Sequence, residues 1–197
     1  MSDPLHSEAL ALLRGWPAPD GGQEQLRQAY VDHLERNPDG LSRSCHPDHL
    51  TAGALVVSAG HRHVLLTLHA KANAWFHLGG HCEPGDRTLA GAAHREAAEE
   101  SGSAGLRLDP VPLQLDRHEV LFCGDRGIVR HLDVRFLAVA PEGAQAVVSA
   151  ESLDVRWWPV DALPPQADDL PALVALALAR LKPQKSVPSA TESSTAS

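Results

Sequence analysis

The sequence predicts an α/β protein in which a mixed sheet lies between helices and a helical extension precedes it. Short runs rich in β-branched and aromatic residues surround one central helical pattern at residues 88–101. Helix-type spacing of apolar residues also occupies much of the first 48 residues. We therefore expect three parts: a helical N-terminal extension over residues 1–48, a folded domain over residues 49–182 and a disordered tail over residues 183–197.

The extension is predicted to contain two helices. A short one covers about residues 7–13, and the segment GGQEQLRQAYVDHLERNPDG forms a longer one. In the longer segment Leu26, Tyr30 and Leu34 recur at every fourth position, and the NPDG sequence ends the helix. The apolar faces can pack onto the domain or onto a dimer partner, and we favour packing onto the domain.

The domain alternates between strand and helix patterns. TAGALVVSA and HVLLTLH, joined by GHR, predict a β-hairpin, and AWFHLGGH predicts a strand that ends in two glycines. After the central helix, VPLQLDRHEVLFCG, HLDVRFLAVAP and LDVRWWPV predict three more strands. DDLPALVALALARLK, acidic at its start and basic at its end, predicts the last helix. The Ser-, Pro- and Thr-rich tail has almost nothing to bury and is therefore predicted to be disordered.

Composition limits the classes of function. The chain has 43% hydrophobic residues and a net charge of −8 without a long basic run, which argues against binding a nucleic-acid polymer. A small anionic substrate remains compatible, because a bound cation can reverse the local field. The three cysteines form no CxxC pair, so neither a disulfide framework nor a thiolate zinc site is predicted. Neither a secretion signal nor a membrane-length apolar run occurs, so we expect a cytoplasmic protein without a membrane partner.

Three glutamates crowd the end of the central helix: Glu96, Glu99 and Glu100. On a helix they border the alanine stripe that would face the sheet. Three carboxylates at such a seam resist being ionised together, and a divalent cation removes that difficulty. Mg²⁺ and Mn²⁺ favour carboxylate oxygens. The loop GGHCEPGD before the helix lets the backbone approach a ligand, and Arg95 can pair with a carboxylate and hold it in place.

Residues 80–102 resemble the Nudix box, whose usual pattern is G-x5-E-x7-R-E-U-x-E-E-x-G-U with U an aliphatic residue. REAAEESG matches its R-E-U-x-E-E-x-G core, and Gly79 and Gly80 match its loop glycines. A looser likeness to bacterial Nudix hydrolases extends over about residues 46–164. The competing interpretation is an ordinary solvated helix supported by an Arg95–Glu99 pair, and it does not account for this combination.

The resemblance implies a Nudix-type α/β/α sandwich that hydrolyses a phosphoanhydride bond. The substrate would be a nucleoside diphosphate linked to another moiety, or a similar small diphosphate compound. The resemblance also implies Mg²⁺ or Mn²⁺ as cofactor, bound by Glu96, Glu99, Glu100 and the Gly79 carbonyl, with Arg95 as an orienting residue. Such ions neutralise phosphate charge and lower the pKa of water.

The general base is left open by the sequence. The resemblance allows a box glutamate or a residue on a later loop, and Glu151 and Glu119 are candidates of the second kind. The catalytic residues that we expect are Glu99, Glu100, Arg95 and Glu151.

Substrate contacts beyond the phosphates are expected from four residues close to the box in sequence. These are Trp75, His77, Gly80 and His81. The histidines can donate hydrogen bonds and Trp75 can stack on a ligand. A place in the hydrophobic core is the alternative that we favour for Trp75.

Two sets of residues complicate this prediction. Asp86 replaces the first box glutamate, and eight residues instead of seven separate it from Arg95, which we expect to affect fine positioning more than activity. The histidines of HPDH and HRH lack partners at zinc-site spacings, so we interpret them as surface or capping residues, and His118 and His131 as structural. Asp116, Asp125 and Asp133 are assigned turn or surface roles.

Two functions therefore stay open. The favoured one is a metal-dependent Nudix-type pyrophosphohydrolase. The alternative is a non-catalytic Nudix-like nucleotide-binding sensor or regulator, which the altered Asp86 spacing favours and the intact glutamates disfavour. The identity of the substrate is not predicted, and homodimerisation is an open alternative because Nudix enzymes often dimerise.

Overall fold

The computed structural model describes residues 3–120, 127–148, 152–165 and 169–182. Four helices and seven strands occur within these ranges. In chain order they are α1 (Pro4–Gly15), α2 (Gly21–Arg36), β1 (Asp48–Val57), β2 (His63–His69), β3 (Ala74–Phe76), β4 (Leu78–His81), α3 (Leu89–Ser101), β5 (Arg107–Val120), β6 (Val129–Val139), β7 (Ser152–Pro159) and α4 (Leu170–Leu181).

Strand β1 lies at the centre of one mixed sheet. The strand order is β3-β2-β1-β6-β5, with β4 also paired to β1 and β7 to β2. The β1–β6 pair is parallel, whereas β1 pairs antiparallel with both β2 and β4. This arrangement places β4, and with it the glycine-rich loop, next to the middle of the sheet.

The two faces of β1 pack against different helices because successive side chains on a strand alternate. Leu50, Ala52, Ala54 and Val56 share a core with α1, α2 and α3. Leu55 and Val57 share a second core with α4. The predicted α/β/α sandwich with a mixed sheet is therefore confirmed.

The N-terminal helices pack onto the domain, which was the favoured alternative. Apolar residues of α1 and α2 are buried in the same core as α3: Leu5, Ala9, Leu13, Tyr30, Val31 and Leu34. Polar contacts hold the same interface. The indole of Trp16 donates to the Pro112 carbonyl at 2.9 Å, and the Gln23 side chain both donates to and accepts from the Leu115 backbone at 2.9 and 2.7 Å.

One strand prediction was wrong in detail. AWFHLGGH forms two strands, β3 and β4, which are separated by His77. Strand β3 pairs with β2, and strand β4 pairs with β1. The His77 side chain contacts Asp133 on β6, with 3.1 Å between Nε2 and Oδ2. The chain thus changes its pairing strand from β2 to β1 at this residue.

Two further predictions concern residues that the structure does not describe. The end of the strand predicted in VPLQLDRHEVLFCG and the tail over residues 183–197 both lie outside the described ranges. Within those ranges, the helices are too short or too polar to cross a membrane.

Candidate active site

Helix α3 carries the three glutamates, and residues at both of its ends fix its limits. The Thr88 hydroxyl accepts a hydrogen bond from the Gly91 N–H at 2.9 Å, which is an N-cap. Gly102 ends the helix in the left-handed conformation at φ 63°, which glycine adopts without strain. Leu89, Ala92, Ala93 and Ala97 face the core. The small alanines bring the helix close to the sheet.

The two loop glycines lie directly against the glutamates. The Gly79 N–H donates to Glu100 Oε2 at 3.0 Å. A Cβ atom on Gly80 would lie 2.7–2.9 Å from the carboxylate atoms of Glu96. A Cβ on Gly79 would lie 2.5 Å from the Cα of Gly53 on β1. Glycine at position 79 therefore lets β4 lie close against β1, and glycine at position 80 leaves room for the Glu96 carboxylate.

Arg95 joins the loop to the helix. Its guanidinium donates two hydrogen bonds to Asp86, from Nε at 3.1 Å and from Nη2 at 2.9 Å. Nη2 also donates to the His81 carbonyl at 3.0 Å. Nη1 donates to Glu96 at 2.9 Å and to Glu99 at 3.2 Å. One side chain therefore orients two of the glutamates and the loop before them.

Asp86 contacts Arg95 despite its unusual spacing. It lies on the loop before α3, so the additional residue is accommodated in this loop. Burial of the carboxyl would raise its pKa, but hydrogen bonds from Arg95 and from the Glu83 N–H outweigh this and lower the pKa below its ordinary value. Asp86 is thus an ionised partner that holds Arg95.

The glutamates differ in burial. The Glu96 side chain is 16% exposed and that of Glu99 is 61% exposed. Burial raises the pKa of Glu96, and the hydrogen bond from Arg95 offsets only part of this effect. Glu96 and Glu100 lie against the loop glycines, and carboxylate oxygens of this kind fit a hard divalent cation. Within the described residues their oxygens do not form a set of three within 4.8 Å of one another, because Arg95 holds Glu96 and Glu99 while Gly79 holds Glu100.

Residues 47–178 match the family model of the NUDIX domain. The chain belongs to the Nudix hydrolase family. The assignment to this class of enzyme and the predicted resemblance are thereby confirmed.

Solved structures with the same fold agree with the assignment. An Ap4A hydrolase of C. elegans in a binary complex is 19% identical with a TM-score of 0.54, covering 67% of this chain and 96% of that one. The dihydroneopterin triphosphate pyrophosphohydrolase of E. coli is 20% identical with a TM-score of 0.54, covering 66% and 95%. The NUDIX domain of Shewanella oneidensis NrtR complexed with ADP ribose is 23% identical with a TM-score of 0.50, covering 68% and 88%. A comparison with curated proteins found no match.

Two of the predicted substrate contacts have other partners in this Nudix protein. Trp75 packs edge-on against Trp158, with ring centroids 5.3 Å apart, beside the core formed with α4. His77 pairs with buried Asp133. Gly80 and His81, in contrast, adjoin Glu96 and Arg95. Glu151 lies outside the described residues, and Glu119 is exposed on β5 opposite Arg130.

The Nudix domain also contains a buried polar layer that the sequence analysis missed. Asp133 is 4% exposed and accepts hydrogen bonds from Thr51 at 3.0 Å and Arg135 at 2.9 Å. Arg135 also contacts Asp116 at 3.0 Å and Asp169 at 2.8 Å. The surface or turn role assigned to Asp133 was therefore wrong. Asp116 is half-buried on β5 and does not lie in a turn, and Asp125 lies outside the described residues. In HLDVRF polar residues alternate with apolar ones. This pattern indicates a strand with one polar face and was the signal for the layer in the sequence.

His49 was also misinterpreted as a surface or capping residue. It is fully buried, and its ring lies 5.1 Å from that of His81 and 5.0 Å from that of His131. Parallel pairing of β1 with β6 places His49 beside His131. No local pattern in HPDH indicates this neighbour, because β6 lies far away along the chain.

Proposed function

We propose that the chain is a metal-dependent Nudix hydrolase that cleaves a phosphoanhydride bond in a nucleoside diphosphate linked to another moiety or in a similar small diphosphate compound. One observation carries the proposal: the loop glycines lie directly against two of the glutamates, since the Gly79 N–H donates to Glu100 and a side chain on Gly80 would meet the Glu96 carboxylate. Two neighbours, named as an Ap4A hydrolase and a triphosphate pyrophosphohydrolase, support the class of substrate.

The residues fit Mg²⁺ or Mn²⁺, since all side-chain donors are carboxylate oxygens. Glu96, Glu99 and Glu100 would hold the cation together with the Gly79 carbonyl. When bound, such a cation neutralises phosphate charge and activates water.

The chain itself supplies positioning. The Asp86–Arg95 pair fixes the loop to α3, so that the phosphates and the glutamates meet in one geometry. The Gly79 N–H holds the Glu100 carboxylate, which makes Glu100 a candidate to position the attacking water or accept its proton. Glu99, which is more exposed, is the second box candidate, and Glu151 stays a prediction on a later loop.

Substrate binding beyond the phosphates is proposed for Gly80, which lies against Glu96. The same role for His81 stays a prediction, because its backbone carbonyl contacts Arg95 while its side chain lies beside His49 on the other face of the sheet. The same role for Trp75 and His77 stays a prediction that their core and network contacts do not favour. Homodimerisation and a cytoplasmic location also stay predictions.

The test is hydrolysis of a panel of nucleoside diphosphate derivatives by the full chain with Mg²⁺ or Mn²⁺. We expect turnover that EDTA abolishes and that Glu100→Gln or Glu96→Gln lowers by about 100-fold or more. Glu142→Gln, which alters an exposed glutamate outside α3, should retain full turnover. Full turnover in a folded Glu100→Gln protein would contradict the proposal.

The alternative, a non-catalytic sensor or regulator of a nucleotide derivative, is supported by one of the structural neighbours as well as by the altered Asp86 spacing. A NUDIX domain of similar fold was solved in complex with ADP ribose. Thermal stabilisation by ADP ribose or another member of the panel, without turnover under any metal condition, would favour this alternative.

A further inference from the structure

Three histidines meet on the sheet face opposite α3. His49 on β1, His81 on β4 and His131 on β6 each place one ring nitrogen within 4.8 Å of the others, and we call them the histidine cluster. His49 faces away from α3 because its neighbour Leu50 belongs to the α3 core. His131 is the register partner of His49, and His81 is the partner of Thr51, two residues further along β1. The cluster is thus built from three adjacent strands.

The closest pair already has the spacing of two metal ligands. The Nε2 atoms of His81 and His49 lie 3.1 Å apart. Two nitrogens on one tetrahedral zinc ion, each about 2.0–2.1 Å from it, are separated by roughly 3.3 Å. The rings therefore need little movement to share an ion.

The ring nitrogen of His49 that faces away from His81 is held by a hydrogen bond, as in metal-binding histidines. Its Nδ1 lies 3.1 Å from the Cys45 carbonyl. A carbonyl only accepts, so Nδ1 carries the proton and the lone pair of neutral His49 lies on Nε2, towards His81. Zinc-binding histidines are held in the correct tautomer in the same way.

The three rings are shielded from solvent: His49 is fully buried, and His81 and His131 are half-buried. The hydrogen bond between His49 and His81 explains why these two rings lie close together, but it does not involve His131. His131 Nε2 is buried and has no hydrogen-bond partner among the described residues, which an ordinary hydrogen-bonded cluster leaves unexplained.

We propose that the histidine cluster binds a divalent transition metal, with Zn²⁺ as the favoured ion. Imidazole nitrogen suits Zn²⁺, whereas Mg²⁺ and Mn²⁺ favour the oxygens of the glutamates, so the two sites differ in the metal that they select. A bound ion would join β1, β4 and β6. It would also fix His81, whose carbonyl accepts a hydrogen bond from Arg95. The site does not depend on the proposed hydrolytic function.

The first test is a zinc titration of the untagged full chain, stripped of metal and kept in excess Mg²⁺, against a chromophoric chelator. We expect one equivalent of Zn²⁺ to bind, and His81→Asn or His131→Asn to weaken binding by about tenfold or more. His63→Asn changes an exposed histidine outside the cluster and should leave the affinity unchanged. Failure of the wild type to bind Zn²⁺, or an equal loss of binding in Glu96→Gln, would overturn the proposal.

A second measurement needs no variant and therefore holds even if the substitutions unfold the protein. Zn²⁺ is added to the wild type while the imidazole ¹⁵N resonances are recorded by NMR. Shifts confined to the rings of His49, His81 and His131 and their immediate neighbours are expected. Shifts only at other histidines, or none, would contradict the site. Replacement by Co²⁺ should give the visible absorption of a nitrogen-ligated ion, and its absence would count against the site.

Discussion

At the scale of single residues, the candidate site depends on how many groups one arginine can contact. Arg95 donates to Asp86, to Glu96, to Glu99 and to the His81 carbonyl. A planar guanidinium with five N–H donors can do this, whereas a lysine ammonium with three donors on a flexible stem cannot hold the same fork. The pairing with Asp86 keeps the guanidinium in place, although one residue more than usual separates the two.

Replacing Asp86 with asparagine should destabilise the protein in a pH-dependent way. The pKa of Asp86 is lower in the folded protein than its ordinary value of 3.8, so its contribution to stability is present above pH 3.8 and is lost as the pH falls through the folded pKa. We expect Asp86→Asn to lower the free energy of unfolding by about 1–3 kcal/mol at pH 7 and by less at pH 3. Urea unfolding at both pH values measures this.

A matched control is Asp32→Asn, which removes an exposed ion pair with Arg36 and should cost less than about 1 kcal/mol. A loss for Asp86→Asn that is the same at pH 7 and pH 3 would contradict the charge-based explanation.

Replacing Gly80 with alanine should impair turnover while the protein remains folded. The new Cβ would lie within 2.9 Å of the Glu96 carboxylate, the flexible end of a side chain that can move aside. We therefore expect a small change in the melting temperature but about a tenfold or greater loss of Mg²⁺-dependent kcat. Gly60→Ala is the control, since a Cβ there meets nothing within 4 Å. Unchanged kcat in Gly80→Ala would show that the Glu96 position does not matter.

At the scale of the elements, the N-terminal extension helps to begin the helix that carries the glutamates. Glu8 of α1 accepts a hydrogen bond from the Leu89 N–H, the first residue of α3, at 2.9 Å. The first N–H groups of a helix have no partner within the helix. Thr88 supplies one acceptor locally, and α1 supplies a second from the other end of the chain.

Two substitutions of Glu8 should separate the hydrogen bond from the charge. Burial raises the pKa of Glu8 above 4.5, so its contribution to stability is present below pH 4.5 and is lost as the pH rises through the folded pKa. At pH 7 Glu8→Gln keeps an acceptor without a buried charge and should be neutral or stabilising. Glu8→Ala should cost about 1 kcal/mol. Thermal unfolding at pH 7 distinguishes them, and equal melting temperatures for the two variants would refute the capping role.

At the scale of the whole molecule, the family match and the folding unit differ in extent. The NUDIX match begins at residue 47, yet the core that covers α3 includes side chains from α1 and α2. Tyr30 on α2 is fully buried, and its hydroxyl donates to the Asp116 carbonyl on β5. Removing these helices would expose a large apolar surface to water.

Deletion of residues 1–39 should therefore abolish cooperative folding, whereas deletion of residues 183–197 should not. The second deletion is the control because the composition of that segment predicts disorder. Circular dichroism melts and soluble yield provide the measurement. A version lacking residues 1–39 that unfolds cooperatively and retains turnover would show that the extension is dispensable.

By itself, the sequence determined the features that depend on near neighbours along the chain. Glu96, Glu99 and Glu100 lie within one and a half turns of a helix, and Gly79 and Gly80 precede that helix by a short loop, so their spacing alone predicted an acidic helix end beside a glycine-rich loop. The strand patterns likewise predicted an α/β sandwich. Helical periodicity and turn residues act over a few positions and can be recognised without knowledge of the fold.

Only the tertiary structure decided which distant residues meet. His49, His81 and His131 lie together because β1 pairs antiparallel with β4 and parallel with β6. No local pattern in the sequence encodes the registers of these two pairings. The interpretation of His49 as a surface residue was wrong for that reason. A shift of one residue in either register would turn a histidine to the opposite face, since side chains on a strand alternate with a period of two.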